Sequence, residues 1–415
     1  MTPLLARTRR LDADVDLLRF AGRDGMLFER GRSGVAGRGC AARVPWLGGD
    51  PAAAARAAAE DLASIDVDDE VRLPGCGPVA FGSLPFSPGA PSELVVPAVA
   101  AGRADDGTRW VTTITPPELA ADTDAVASLT AASSDGGGPL ASARRFTVTA
   151  QREPDDWCAL VERATKAMTG GTLHKVVLAR QIDIDADHPI DRLAVLERLR
   201  SAYPGCHVVS VDGFVAASPE LLVSVTGDIV RSHPMAGTAP RGGDPTTDQR
   251  LAASLLASAK DRQEHQITID MVHDTLLPWC SYLDYEAEPS VVAVANVQHL
   301  ATLVEGRLSQ PAPSVLELVA ALHPTPAVAG WPRDEAVEWI EENEGFDRRR
   351  YAGTAGWVDA AGNGTWAVSI RCAEIDGPAA RVWAGNGIVA DSDPSTELAE
   401  TRSKLQALLS AIVRP

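Results

Sequence analysis

The stretch 206–233, CHVVSVDGFVAASPELLVSVTGDIVRSH, decides the fold class. It contains four short β segments, at 206–211, 213–217, 220–226 and 229–233, rich in Val and Leu and separated by DG and TGD turn signals. Strands joined by turns this tight pair antiparallel, because a parallel pair needs a crossover of about a dozen residues or more. Upstream, Trp157, Leu160, Val161, Ala164 and Met168 form an apolar stripe that predicts a helix over 155–168, stopped by Gly170 and Gly171. A strand follows over 174–185 and a helix over 191–202. Downstream the pattern predicts a long helical region over 244–277, a helix over 315–322, and strands over 352–358, 365–375 and 381–389. Asp393 and Pro394 open a final helix as N-cap and first helical residue. Antiparallel strands with helices inserted between them make the chain α+β.

The 415 residues are 45% hydrophobic and 23% charged, a globular composition that can bury a sizeable core. A net charge of −18 excludes nucleic acid and anionic membrane surfaces as partners. No run of about 18 apolar residues occurs, and MTPLLARTRR lacks the apolar centre of a signal peptide, so the chain is expected to be cytoplasmic. Cysteines 40, 76, 158, 206, 280 and 372 lie too far apart for a zinc ribbon and read as reduced, mostly buried thiols. AASSDGGGP, 131–139, is the clearest break in composition. Residues 1–415 read as a single domain: an N-terminal scaffold part over 1–130, a flexible loop over 131–140, and a catalytic part over 150–412.

Of 38 basic residues besides histidine only four are lysines, at 166, 175, 260 and 404. Arginine serves a surface charge equally well, whereas lysine alone offers a compact ammonium that can give up its proton near neutral pH. Lys175 opens the apolar strand KVVLAR, where a buried sheet would desolvate it and make it a candidate general base, unless it simply snorkels from the strand end. Glu220, between small residues and an apolar strand, is a candidate general acid, with an edge charge as the alternative. Glu397, Glu400 and Lys404 share one strip of the final helix, beside the stripe Leu398, Leu405, Leu409 and Ile412. In AKDRQEHQ, Asp261 and Glu264 share a face in the same way. Two such helices could hold Mg²⁺, which takes one or two carboxylates, or could be solvated charge strips. Glu264–His265 is not HExxH, which excludes a zinc protease. Arg371 is expected to share a strand face with Ala367 and Ser369, with room beside it for a ligand, or else to be a salt-bridged structural arginine. Gly385 and Gly387 could let backbone N–H groups approach a carboxylate, or could mark a β-bulge. A base, an acid, metal carboxylates and cationic donors together suit a lyase or isomerase acting on a dicarboxylate.

These residues lie in motifs that closely resemble the chorismate-utilising enzymes, and within them the isochorismate synthases. The matching stretches are KVVLAR (175–180), ASPELL (217–222), PMAGTAPRG (234–242), KDRQEH (260–265), HLAT (299–302), HPTPAVAG (323–330), SIRCAE (369–374), AGNGIV (384–389) and ELAETRSK (397–404). GSLPFSP, 82–88, resembles the family's N-terminal segment.

The resemblance implies one large α+β unit similar to anthranilate synthase component I, with two packed antiparallel sheets, helices outside, and the site between them. It implies that Lys175 activates water for attack at C2 of chorismate and that Glu220 protonates the departing C4 hydroxyl. It further implies that Glu264 and Glu400 ligate Mg²⁺, with Asp261 and Glu397 holding the metal directly or through water. Thr238, Arg371, Gly385 and Lys404 would bind the substrate. Ala236 of PMAGT, where aminodeoxychorismate synthases carry lysine, argues against that branch, and HPTPAV resembles the water-using enzymes. The expectation is an isochorismate synthase of menaquinone or siderophore synthesis, monomeric and without a glutaminase subunit. Salicylate synthase is the alternative, and anthranilate synthase component I a further one.

Overall fold

The four segments of 206–233 fold as strands, yet they belong to two different sheets. His207–Val211 and Phe214–Ser218 form a hairpin in a sheet of thirteen strands, while Leu221–Thr226 and Ile229–His233 form one in a sheet of nine. The first hairpin turns at Asp212 and Gly213, both at positive φ (44° and 78°), the conformation that two-residue hairpins require. The chain changes sheet at Pro219 and Glu220. A second hairpin pair repeats the move: Thr354–Asp359 and Gly364–Val368 lie in the nine-stranded sheet, Cys372–Asp376 and Ala379–Ile388 in the thirteen-stranded one. The computed structural model behind this description covers residues 3–119, 127, 143–171, 173–294 and 297–414; the loop expected over 131–140 lies outside the described residues.

Alternation puts one face of each sheet into a shared core. Phe28, Val209 and Phe214 of the larger sheet and Phe81, Val223 and Trp366 of the smaller belong to one buried cluster. The opposite face of the larger sheet, with Val208, Val215, Ile375 and Val382, packs with the helices Leu17–Ala21, Arg192–Ala202 and Pro394–Ile412. Two features extend the expected pair of antiparallel sheets. Leu5–Arg10 pairs parallel with Asp66–Asp69, and a separate three-stranded sheet joins Met235–Pro240, Ser290–Ala293 and Val297–Ala301. Among the described residues no helix is long and apolar enough to cross a membrane.

Three local expectations change. The helical region over 244–277 is two helices, Pro245–Ala257 and Ala259–Leu276, because Ser258 stays extended and its hydroxyl caps Asp261 N. The strand expected over 365–375 breaks at Ser369–Arg371, where the chain crosses back between sheets with Arg371 at φ 49°. Arg371 therefore shares no strand face with Ala367 and Ser369. Leu409 is only half-buried, and Leu408 takes its place in the core. The six cysteines are free thiols; three are buried, two half-buried, and Cys40 is exposed.

Candidate active site

The two crossings are stitched to each other. Ala217 N donates to Arg371 O at 3.1 Å and Val368 N to Glu220 O at 3.1 Å. A cavity of about 230 Å³ opens at this seam, a size that suits a single-ring ligand. Glu220, Thr238, Asp261, Glu264, Arg371, Gly385, Glu397, Glu400 and Lys404 all line it. Lys175, the tenth residue singled out from the sequence, lies behind the wall and reaches it through an ion pair with Glu264 at 2.7 Å.

Glu220 is 3% exposed, and burial pushes its carboxyl up to about 8, against the hydrogen bond from Met235 N and the charges of Lys175 and Arg371. At neutral pH it is mainly the acid form and has a proton to give. Lys175 is 5% exposed, at the start of the strand Lys175–Ala186. Gly387 on the neighbouring strand makes room for it, since a Cβ there would sit 2.7 Å from Lys175 Cε. Burial opposes ionisation of Glu264, but Lys175 overrides it and holds the carboxyl below its ordinary range.

Arg371 is 8% exposed and buried among Tyr203, Cys206 and His299. One terminal nitrogen donates to His299 Nε2 at 2.9 Å, and the Cys206 side chain also interacts with the guanidinium. Arg371 lines the cavity, and a guanidinium there offers a carboxylate ligand charged donors. Because arginine can only donate, His299 Nε2 must accept, and Nδ1 carries the proton it shares with Gly237 O at 3.1 Å, beside Thr238 Oγ1 at 3.2 Å. Burial, helped by the charges of Arg371 and Lys404, pulls this imidazole down to about 3, so it is neutral. His299 thereby ties Arg371 to the Gly237–Thr238 bulge of the three-stranded sheet. Gly237 is at φ 72°, and a Cβ there would come within 3.2 Å of Asp261 Oδ1.

On the final helix Lys404 donates to Glu400 Oε1 at 2.8 Å, Asn386 Oδ1 at 2.9 Å and Gly385 O at 3.0 Å. Gly385 thus offers its carbonyl to Lys404, and its missing Cβ admits the Tyr351 hydroxyl, which would otherwise stand 2.6 Å away. Asn386 also donates to Glu397 Oε2 at 3.0 Å, while Ser392 Oγ donates to Glu397 Oε1 at 2.9 Å. Burial raises the Glu397 carboxyl above its ordinary value, and the neighbouring Glu400 adds to it.

The profile of the family described as chorismate binding enzymes matches residues 27–413. The chain belongs to this family. It is 42% identical over 271 residues to isochorismate synthase DhbC of Bacillus subtilis, covering 63% of this chain and 68% of the relative. It is 36% identical over 346 residues to isochorismate synthase EntC of Escherichia coli, covering 80% of each. The structure of MenF, the menaquinone-specific isochorismate synthase of Escherichia coli, superposes with a TM-score of 0.80 at 25% identity, over 99% of this chain and 95% of that one. Anthranilate synthase component I from Streptococcus pneumoniae shares the fold, with a TM-score of 0.66 at 21% identity over 96% of this chain and 86% of that one.

For a chorismate binding enzyme the wall is short of positive charge. Asp261, Glu264, Glu397 and Glu400 supply four carboxylates against three lining cations, Lys260, Arg371 and Lys404, with Lys175 behind the wall on Glu264. Carboxylate oxygens are hard donors of the kind Mg²⁺ takes, so the chemistry of these four side chains fits that ion. Among the described residues no three of these carboxylates are gathered as a ready-made metal cluster; Glu264 and Glu400 are instead turned to lysines. Sequence reasoning gave His299, Asn386 and Tyr351 no role. His299 and Asn386 lie inside quoted motifs, HLAT and AGNGIV, but their task is to hold other side chains, and residue type does not signal that.

Proposed function

We propose that this protein is an isochorismate synthase, converting chorismate to isochorismate with Mg²⁺ by adding water at C2 and expelling the C4 hydroxyl. The observation that carries the reading is the pairing, at one cavity, of a buried carboxyl kept protonated near neutral pH, Glu220, with the guanidinium of Arg371. The first is what a poor leaving group needs and the second is what a carboxylate substrate needs.

Lys175, once its ammonium has given up a proton and become the free amine, takes a proton from the attacking water, whose oxygen bonds to C2. Glu220 gives its proton to the C4 oxygen as that C–O bond breaks, so the group leaves as water. Arg371 and Lys404 hold the substrate carboxylates and Thr238 positions the ring. Glu264 and Glu400, assisted by Asp261 and Glu397, would hold the Mg²⁺, which supplies charge neutralisation for a substrate carboxylate. Water as nucleophile removes any need for ammonia and therefore for a glutaminase subunit; the reading further takes the enzyme to be a cytoplasmic monomer. Its product feeds menaquinone or siderophore synthesis.

Incubation of the purified chain with chorismate and Mg²⁺, followed by chromatography of the products, tests this reading. Isochorismate is expected, and its absence overturns the proposal. Release of pyruvate together with salicylate would reassign the chain to the salicylate synthases.

A further inference from the structure

Lys404 has no donor to spare for a ligand. An ammonium carries three N–H groups, and Glu400 Oε1, Asn386 Oδ1 and Gly385 O take all three. The Lys175 ammonium is likewise turned to Glu264. In both pairs the carboxylate is the more exposed member, 24% for Glu264 against 6% for Lys175 and 32% for Glu400 against 18% for Lys404, and both carboxylates line the cavity. The other two carboxylates differ. Glu397 is held by the neutral donors of Asn386 and Ser392, and no ion pair holds Asp261 among the described residues.

From this arrangement we infer that Lys175 and Lys404 are resident counter-ions of the cation site, displaced from Glu264 and Glu400 when a divalent cation binds. Displacement frees one N–H of Lys404 for a substrate carboxylate while Asn386 and Gly385 keep the ammonium in place. The cation and the anionic substrate are thereby coupled through a side chain, beyond the attraction of their charges. The inference rests on the magnesium-dependent reading above, and it concerns the order of events at that site.

Calorimetric titration of the whole chain with MgCl₂, without substrate, tests it through two variants. Lys404→Met removes the competitor and should bind Mg²⁺ about five-fold more tightly, the scale of a partly exposed ion pair. Lys260→Met removes a charge from the same cavity wall but from a pair with Asp391, so its affinity should stay within about two-fold of wild type. Equal tightening in both variants would show a field effect alone and overturn the inference. With only four lysines in the chain, ¹³Cε-lysine NMR of the wild type gives an independent readout. Mg²⁺ alone should move the Lys175 and Lys404 signals and leave Lys166, exposed on its helix, where it is. Mg²⁺ heat with both signals unmoved would overturn the inference while leaving the metal site intact. No Mg²⁺ heat with or without chorismate would overturn the magnesium reading, and this inference with it.

Discussion

Glu220 and Arg371 occupy the two points at which the chain passes between its sheets, and each carbonyl accepts an amide from the strand flanking the other: Val368 N to Glu220 O and Ala217 N to Arg371 O, both at 3.1 Å. Backbone hydrogen bonds therefore fix the spacing between the acid and the carboxylate anchor. Arg371 holds φ 49°, a conformation uncommon outside glycine, at the point where the side chain must leave the sheet and face the cavity.

Glu220→Gln should lower kcat by 10²-fold or more, the usual worth of a positioned acid. In the wild type, kcat/KM should fall as pH rises through about 8, where Glu220 loses its proton. A stability signature accompanies this. The folded value lies above the ordinary glutamate value of 4.5, so the protonated carboxyl's contribution is present below 4.5 and is lost as pH rises to about 8. Urea unfolding at pH 5 and pH 8.5 should show wild type losing stability relative to Glu220→Gln, by no more than roughly 5 kcal/mol. An unchanged difference between the two pH values would refute the assignment.

Acid should destabilise the fold through its histidines. Burial pulls His207 and His299 down to about 3 and His265 and His323 to about 4. Each is neutral when folded, so the unfolded chain binds more protons once pH drops below about 6.5, and stability falls from there towards 4. Thermal melts across pH 4 to 7 should show a monotonic fall in Tm on the acid side.

Lys175→Ala should cost roughly 10³-fold in kcat, with little change in melting temperature when Mg²⁺ is present, because the cation then compensates Glu264. Without Mg²⁺ the variant leaves that carboxylate unpaired and should melt at lower temperature than wild type. A variant equally unstable with and without Mg²⁺ would mean that Lys175 is structural.

Arg371→Lys keeps the charge but loses the fork that meets a carboxylate with two N–H groups. KM for chorismate should rise by roughly ten-fold or more, the scale of a charged hydrogen bond, while kcat changes less because Glu220 and Lys175 stay in place. Steady-state kinetics resolving the two constants decides this; a fall in kcat alone would move Arg371 from anchoring to chemistry.

The α+β class and most strands were legible because tight turns and alternation are local signals. The sheet change at Glu220 was not, since Pro219 and Glu220 sit between two strand patterns that look like neighbours in one meander. The sequence places Arg371 inside a strand because SIRCAE continues the apolar alternation, and nothing in a non-glycine residue marks a positive φ. Ser258 was absorbed into one long helix because a serine is tolerated inside helices as well as at their caps. The scarcity of lysine pointed to Lys175 and Lys404 without their partners, because the pairing with Glu264 joins residues 89 positions apart.

Behind the cavity a buried ion pair stands in for a missing strand, and its removal gives the sharpest stability test. The strand Lys175–Ala186 pairs with Gly330–Trp331 only at Lys175 and Val176. Beyond that point Glu344 Oε1 accepts from Ala179 N at 2.6 Å, and Arg348 donates to Val177 O at 2.5 Å and Val328 O at 3.0 Å. The two side chains bridge each other at 2.6 Å, with exposures of 2% and 0%. Arg348→Met keeps the volume but strands a buried carboxylate and two carbonyls, so unfolding free energy should fall by about 3–5 kcal/mol. Glu344→Gln keeps a neutral acceptor for Ala179 but leaves the guanidinium without its counter-charge, and should cost a comparable amount. Because the pair clamps the strand that carries Lys175, the folded fraction of either variant should also lose kcat more than it raises KM. Denaturant unfolding alongside active-site-normalised kinetics checks both parts, and a loss below about 1 kcal/mol would show that the strand holds its place without the pair.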